Sequence, residues 1–297
     1  MLTAFASPTT NRATPACAAM PGPIGHRRIR WYREAAAIAL FYGAYLLIRG
    51  FVTVDISSAI SRGNDILRLQ EQFGLALEAP LNEALSAWPV VGLASAYLYA
   101  TLHYVVTPLV LLGTVGRPDA YRLARNSLAM ATALGLIGYV LLPTAPPRLL
   151  ETGFTDTMAQ WSSAGWWGEA ASAPEGLEAF SNQYAAMPSL HVGWAVWVAL
   201  VLDRPSRRLL SRFLIWSYPV VMAFVVMATA NHYLCDAIAG TVCALLGHWA
   251  ATMLRLRSPR SMHLRTSAVA AALPPQAGQD RNGGDSEPLH LSPQRPR

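Results

Sequence analysis

Apolar residues in this chain fall into six blocks: 35–54, 90–115, 127–142, 189–202, 213–230 and 237–254. Short polar stretches, most of them bearing arginine, separate them. A membrane-crossing helix needs about 20 consecutive apolar residues. The first two blocks reach that length, with Pro108 predicting a kink in the second. The other four are shorter and would cross by tilting or by recruiting flanking residues. The pattern predicts an all-α, integral membrane six-helix bundle. Two of the intervening loops have patterns of their own. In 55–89, Ile66, Phe73 and Leu77 recur at helical spacing with Asp65, Glu71 and Glu78 between them, which predicts an interfacial helix. The loop 143–188 carries Trp161, Trp166 and Trp167, a residue type that favours the headgroup level. This loop is expected to lie on the membrane, either as a lid or as a plain aromatic belt.

Composition decides between a membrane protein and a soluble one with a large core. The chain is 53% apolar and 13% charged. Gathering that apolar content into long blocks favours the membrane. Residues 1–30 and 258–297 lack apolar periodicity and read as disordered cytoplasmic tails around an ordered domain at 31–257. Met20 is an alternative start. The first block follows "HRRIRWYRE" and reads as an uncleaved anchor.

Charge adds orientation. The formal charge is +6, and all 23 basic residues are arginine. They sit between apolar blocks and not in a cluster facing a groove, which excludes a nucleic-acid partner. Alternate flanks hold 15 arginines, and the opposite loops hold only Arg62, Arg68 and Arg148. The positive-inside rule then places both termini in the cytoplasm of a multi-pass plasma-membrane protein. The loops 55–89, 143–188 and 231–236 face out. The three cysteines, Cys17, Cys235 and Cys243, form no metal-type pair and no disulfide framework.

The polar residues that need explaining lie at those outer ends. "PTAPPRLL" closes the third block and carries Arg148; "AAMPSLHVGW" opens the fourth with Ser189 and His191; "ANHYLCDAIAG" joins the last two with His232 and Asp236. His232 and Asp236 are spaced i, i+4 and meet on one helix face if the sixth helix begins near His232. A carboxylate on one ring nitrogen fixes the tautomer and leaves the other nitrogen nucleophilic. His191 can protonate a leaving oxygen. The planar fork of Arg148, and the backbone N–H groups near Ser189 at a helix start, suit phosphate oxygens. Together they make a phosphoryl-transfer kit with His232, Asp236 and His191 catalytic and Arg148 and Ser189 binding phosphate. Other readings use the same residues: a zinc site on two histidines and an aspartate, an Arg148 that only holds lipid headgroups, or a non-catalytic lipid transporter. No metal and no cofactor is expected, because neither a zinc spacing nor a magnesium-type carboxylate cluster is present. His103 and His248 are intramembrane ionisable residues. Tyr97, Tyr99 and Tyr104 stand near His103, and interhelical hydrogen bonding is the expected role.

"AAMPSLHVGW" with "NHYLCDAIAG" resembles the type 2 phosphatidic acid phosphatase superfamily, and within it the branch of the fungal inositol phosphorylceramide synthases. The resemblance covers roughly residues 35–255. It implies a six-helix membrane enzyme whose histidine, oriented by an aspartate, attacks phosphorus to form a phosphohistidine while a second histidine acts as acid. Water or an alcohol such as inositol then takes the phosphoryl group. Carried over, His232 is the nucleophile, Asp236 its partner and His191 the acid. The substrate would be a phospholipid or polyprenyl lipid phosphate. The sequence departs from the widespread pattern in three places. It has no lysine, Leu190 stands where the pattern has glycine, and Val226 stands where it has a phosphate-binding arginine. These departures shift the anion load to Arg148 and favour the inositolphosphotransferase branch.

Overall fold

A cap or a proline marks the start of several helices. The computed structural model describes residues 30–51, 55–168, 182–206 and 208–256. Met20, the tail 258–297 and all but the last residue of the 1–30 segment lie outside the described residues. Asp55 accepts hydrogen bonds from Ser57 and Ser58 and opens α2 (Ile56–Gln72). Pro89 and Pro118 take the first helical position of α4 (Pro89–Gly113) and α5 (Pro118–Leu141), where a missing N–H costs nothing. Ser189 caps α7 (Leu190–Asp203). The remaining helices are α1 (Trp31–Phe51), α3 (Glu78–Ser86), the single turn α6 (Thr157–Gln160), α8 (Leu209–Ala228) and α9 (Leu234–Leu256). One compact unit runs to Ala251, and a second begins at Thr252, of which only the end of α9 is described.

The all-α expectation holds, but the six-helix membrane bundle does not. Among the described residues there are nine α-helices, and three of them, α4, α8 and α9, are long and apolar enough to cross a membrane. The shortfall is physical. At 14 residues α7 is about 21 Å long at 1.5 Å per residue, short of a hydrocarbon core about 30 Å thick. The first turns of α5 carry Asp119, Arg122 and Arg125, and α1 begins with Arg33 and Glu34. Apolar blocks in the sequence therefore overcounted the spans.

The core forms where α4, α7 and α8 meet, through Ala96 and Ala100, Ala195 and Val196, and Met222 and Val226. Lipid is as apolar as leucine, so small residues and polar contacts, not hydrophobicity, hold such helices together. Gly193 of α7 and Gly240 of α9 illustrate this. A Cβ on Gly240 would stand 2.0 Å from the Ser189 carbonyl oxygen, and one on Gly193 would stand 2.9 Å from the Gly240 oxygen. Trp197 adds hydrogen bonds from Nε1 to the Ala124 carbonyl and the Ser127 hydroxyl of α5.

The two patterned loops pack inward more than their sequences predict. The 55–89 segment forms two helices, not one. The first, α2, lays Ala59, Gly63, Leu67 and Gln70 against the protein, and a Cβ on Gly63 would meet the Tyr233 hydroxyl at 2.7 Å. In the tryptophan loop, Trp167 is only 1% exposed and donates to the Met158 carbonyl. Trp161 packs against the core, and Trp166, half-exposed, donates to the Thr101 hydroxyl on α4. The loop is thus pinned to α4 through the Trp166 indole N–H, while the Trp167 indole N–H braces the loop on itself.

Candidate active site

The link between α8 and α9 presents the central histidine, and its shape comes from the end of α8. Ala230 adopts a left-handed φ of 54°. The Asn231 N–H bonds back to the Val226 carbonyl, and the Ala230 N–H to that of Met227. This is the six-to-one, five-to-two closure of a Schellman ending, with alanine where glycine is usual. A left-handed alanine costs about 1–2 kcal/mol, which the surrounding hydrogen bonds must offset.

His232 follows at once and is 4% exposed. Its Nδ1 lies 2.8 Å from the Ala186 carbonyl oxygen and 3.5 Å from Asp236 Oδ2. A carbonyl can only accept, so Nδ1 carries the proton and Nε2 keeps its lone pair. Asp236 is fully buried. Its Oδ2 accepts from the Tyr233 N–H at 2.9 Å, while Oδ1 has no partner among the described residues. Tyr233 is itself buried and donates its hydroxyl to the Ala145 carbonyl. Burial, reinforced by the Asp236 and Glu78 carboxylates, holds that phenol well above its usual range, so it remains a donor.

The first N–H groups of α9 have no helical partners and are satisfied from far away in sequence. Leu234 N–H donates to Glu78 Oε1 at 2.5 Å and Cys235 N–H to Gln70 Oε1 at 2.9 Å. Gln70 in turn donates to Glu78, and both side chains are buried. The helix that carries Asp236 is therefore capped by α2 and α3.

The segment leading into α7 is tied to the end of α5. Thr144 and Ala185 form a short parallel bridge, with the Ala186 N–H donating to the Thr144 carbonyl. The Ser189 N–H donates to the Asp236 carbonyl at 2.9 Å. Its hydroxyl caps α7 by accepting from the Val192 N–H. Ser189 is fully buried in this framing role and does not line the cavity described below. His191, two residues on, does line it, and its buried Nε2 has no partner among the described residues. The ring stacks on Tyr99 at 4.2 Å and lies edge-on to His103 at 4.3 Å. The rings of His191 and His232 are 5.7 Å apart.

Arg148 completes the site, with a side chain only 7% exposed. Its N–H donates to the Ala230 carbonyl, its Nε donates to Asn231 Oδ1 at 2.9 Å, and Asp156 lies 3.9 Å away. Arg148, His191 and His232 border one cavity of about 250 Å³. The arrangement joins a ring nitrogen with a free lone pair, a second imidazole and a guanidinium fork, groups suited to attack on an anionic phosphorus centre. Among the described residues no three of His, Cys, Asp and Glu come together as metal ligands.

Of the residues the sequence singles out, the fold brings Arg148, His191, His232 and Asp236 together and sets Ser189 behind them. It adds three that the sequence did not assign to the site. Ala186 supplies a carbonyl, which no motif reveals. Asn231 holds Arg148, and its only signal was its place beside His232. His103 was visible as an intramembrane histidine, but its Nδ1 hydrogen-bonds within its own helix, to the Tyr99 carbonyl, and its ring borders the cavity. His248 pairs instead with Arg204.

The family pattern of the PAP2 superfamily matches residues 64–250, which span all of these groups. The chain belongs to the PAP2 superfamily. As a PAP2-superfamily enzyme it is a phosphatase or phosphotransferase, and with α4, α8 and α9 long and apolar enough to cross a bilayer it is a multi-pass membrane protein. No curated protein matches the sequence. Among solved structures, that of Aquifex aeolicus LpxE is similar at a TM-score of 0.44 and 16% identity, covering 60% of this chain and 94% of that one. Two of the three departures from the widespread pattern have local explanations. Val226 is fully buried in the α4–α7–α8 core, where a guanidinium would have no partner. Leu190 packs against Gly135 of α5, where an added Cβ would stand 2.5 Å from its methyl.

Proposed function

We propose that the protein removes or transfers the phosphoryl group of a lipid phosphate through a phosphohistidine on His232. The observation that carries this reading is one cavity bordered by His232, with Nδ1 occupied, and by His191, whose Nε2 is buried and unpartnered. The His232 Nε2 lone pair attacks phosphorus, and the nitrogen–phosphorus bond forms as the bond to the lipid oxygen breaks. That oxygen leaves with the electron pair and takes a proton from His191 Nε2. Asp236 stabilises the positive charge that grows on His232, and Arg148 binds the phosphoryl oxygens. Water or an alcohol then attacks the phosphohistidine, gives its proton to His191 and restores both rings.

The arginine distribution supports an extracytoplasmic site. Arg204, Arg208, Arg212 and Arg255 lie at the ends of α7, α8 and α9 remote from His191 and His232, and such clusters mark the cytoplasmic side. The test is rapid acid–alkali quenching of purified protein on phosphatidic acid labelled in its phosphate. Alkali-stable, acid-labile label is expected on wild type and absent from His232→Ala. If His232→Ala and His191→Ala keep wild-type turnover, the mechanism is wrong.

A second reading, a transferase that requires an alcohol such as inositol, is favoured by Leu190 and by the amides of Asn182 and Gln183 at the cavity, which can bind hydroxyls. Labelled inositol should enter lipid, with little phosphate released in its absence. Equal phosphate release with and without acceptor sinks this version.

A further inference from the structure

We infer that Tyr99 and His103, one turn apart on α4, position His191 for proton delivery to the departing lipid oxygen; the inference rests on the reading of His191 as the acid. An acid must aim one nitrogen at the leaving group, yet any hydrogen bond to that nitrogen inside the protein competes with the task. His191 meets both demands. Its Nε2 is buried and has no partner among the described residues. Orientation must then come from the ring's faces and edges. One face lies on the Tyr99 ring, nearly parallel at 21° and 4.2 Å. His103 closes edge-on, at 74° and 4.3 Å. Residues four apart on a helix share a face, so α4 grips the imidazole from two directions at once.

The grip is itself braced. The His103 Nδ1–H donates to the Tyr99 carbonyl, which fixes the ring's plane and tautomer. Tyr104 packs on His103 at 3.8 Å and meets Trp166 at 6.1 Å. Trp166 is anchored to Thr101 of the same helix. The Tyr99 face also has a chemical effect. Burial, and the His103 and His232 rings beside it, hold the His191 imidazole well below its usual pKa range. Aromatic faces attract cations, so the stack offsets part of that cost for the protonated ring that the proton-transfer step requires. Tyr99 and His103 act through His191 and not on substrate, which makes them positioning residues.

A general acid matters only when the leaving oxygen is a poor leaving group. Full-length variants are therefore assayed on two probes: phosphatidic acid in detergent micelles, whose leaving group is an alkoxide, and para-nitrophenyl phosphate, whose phenolate leaves without help. General acid catalysis supplies about 10²–10⁴-fold, so His191→Ala should lose on the order of 100-fold or more in kcat on the alkyl probe and far less on the aryl one. A misplaced acid costs up to about 10²-fold. Tyr99→Leu and His103→Ala should each lose about tenfold in kcat on the alkyl probe, with KM and aryl turnover little changed. Tyr99→Phe, which keeps the ring face, should recover most of the loss. Equal losses on both probes, or no loss in either variant, overturn the positioning role. A His191→Ala enzyme without selective loss on the alkyl probe refutes instead the acid assignment beneath it.

Discussion

His232 and His191 face the same cavity and are held by opposite means. His232 is tied by directed hydrogen bonding: a carbonyl fixes its proton, a carboxylate stands beside the same nitrogen, and a left-handed turn sets its backbone. His191 is held by ring contacts that leave its Nε2 unbonded. The contrast fits the two tasks proposed for them. A nucleophile must keep one tautomer throughout the attack, so its spare nitrogen is best locked. An acid must release and recover a proton, so its working nitrogen is best left open while the ring is held in place.

The largest effect should come from breaking the locked half. His232→Ala removes the proposed attacking atom, and activity should fall on the order of 10⁴-fold or more. Asp236→Asn sharpens the point. Where a carboxylate alone sets the tautomer, its amide costs about 10⁴-fold. Here the Ala186 carbonyl also holds Nδ1, so Asp236→Asn should cost about 10²-fold, the upper range for a supporting hydrogen-bond partner. A loss as large as that of His232→Ala would mean that Asp236, and not Ala186, sets the tautomer.

Gly240→Ala tests the frame common to both halves. The new methyl would meet backbone at Ser189, which cannot yield as a flexible side chain can. Overpacking of this kind costs about 1–3 kcal/mol. A lowered melting temperature in detergent should accompany activity loss on alkyl and aryl phosphates alike. Asn231→Ala comes next. It strips Arg148 Nε of its partner while leaving both histidines in place, and kcat/KM should fall about tenfold, the cost of one charge-assisted hydrogen bond. A selective rise in KM would show that Arg148 binds the ground state as much as the transition state. The smallest effect is a gain: Ala230→Gly relieves the left-handed backbone and should add up to about 1 kcal/mol of stability in a thermal melt, offset in part by the chain entropy of glycine.

How much of this was legible in the sequence depended on how local each interaction is. The approach of His232 to Asp236 is set by residues four apart, and spacing revealed it, although His232 stands ahead of α9 and not on it. The helix start at Ser189 was legible too, but not that its hydroxyl is spent on the cap. The gathering of Arg148 with the two histidines followed from placing apolar blocks in alternation. The number of spans did not follow, because hydropathy blocks do not show that α7 ends after 14 residues or that α5 starts with charges. His103 and Tyr99 escaped for another reason: their meeting with His191 depends on how α4 packs against α7, and nothing at positions 99–103 records that contact. The tryptophans misled because an indole that seeks the headgroup layer and one that seeks a carbonyl inside the protein look the same in a sequence. Trp167 is the second kind.

The caps on α9 tie the life of the site to a distant part of the chain. Leu234 and Cys235 owe their hydrogen bonds to Glu78 and Gln70, more than 150 residues earlier. Their amides should therefore exchange with deuterium whenever α2 and α3 lift away, even while the rest of α9 stays protected. Such an opening would expose the start of the helix that carries Asp236 and, on the proposed mechanism, silence the enzyme without unfolding it. A molecule or lipid environment that presses α2 and α3 down would raise the fraction of working enzyme and leave its chemistry unchanged.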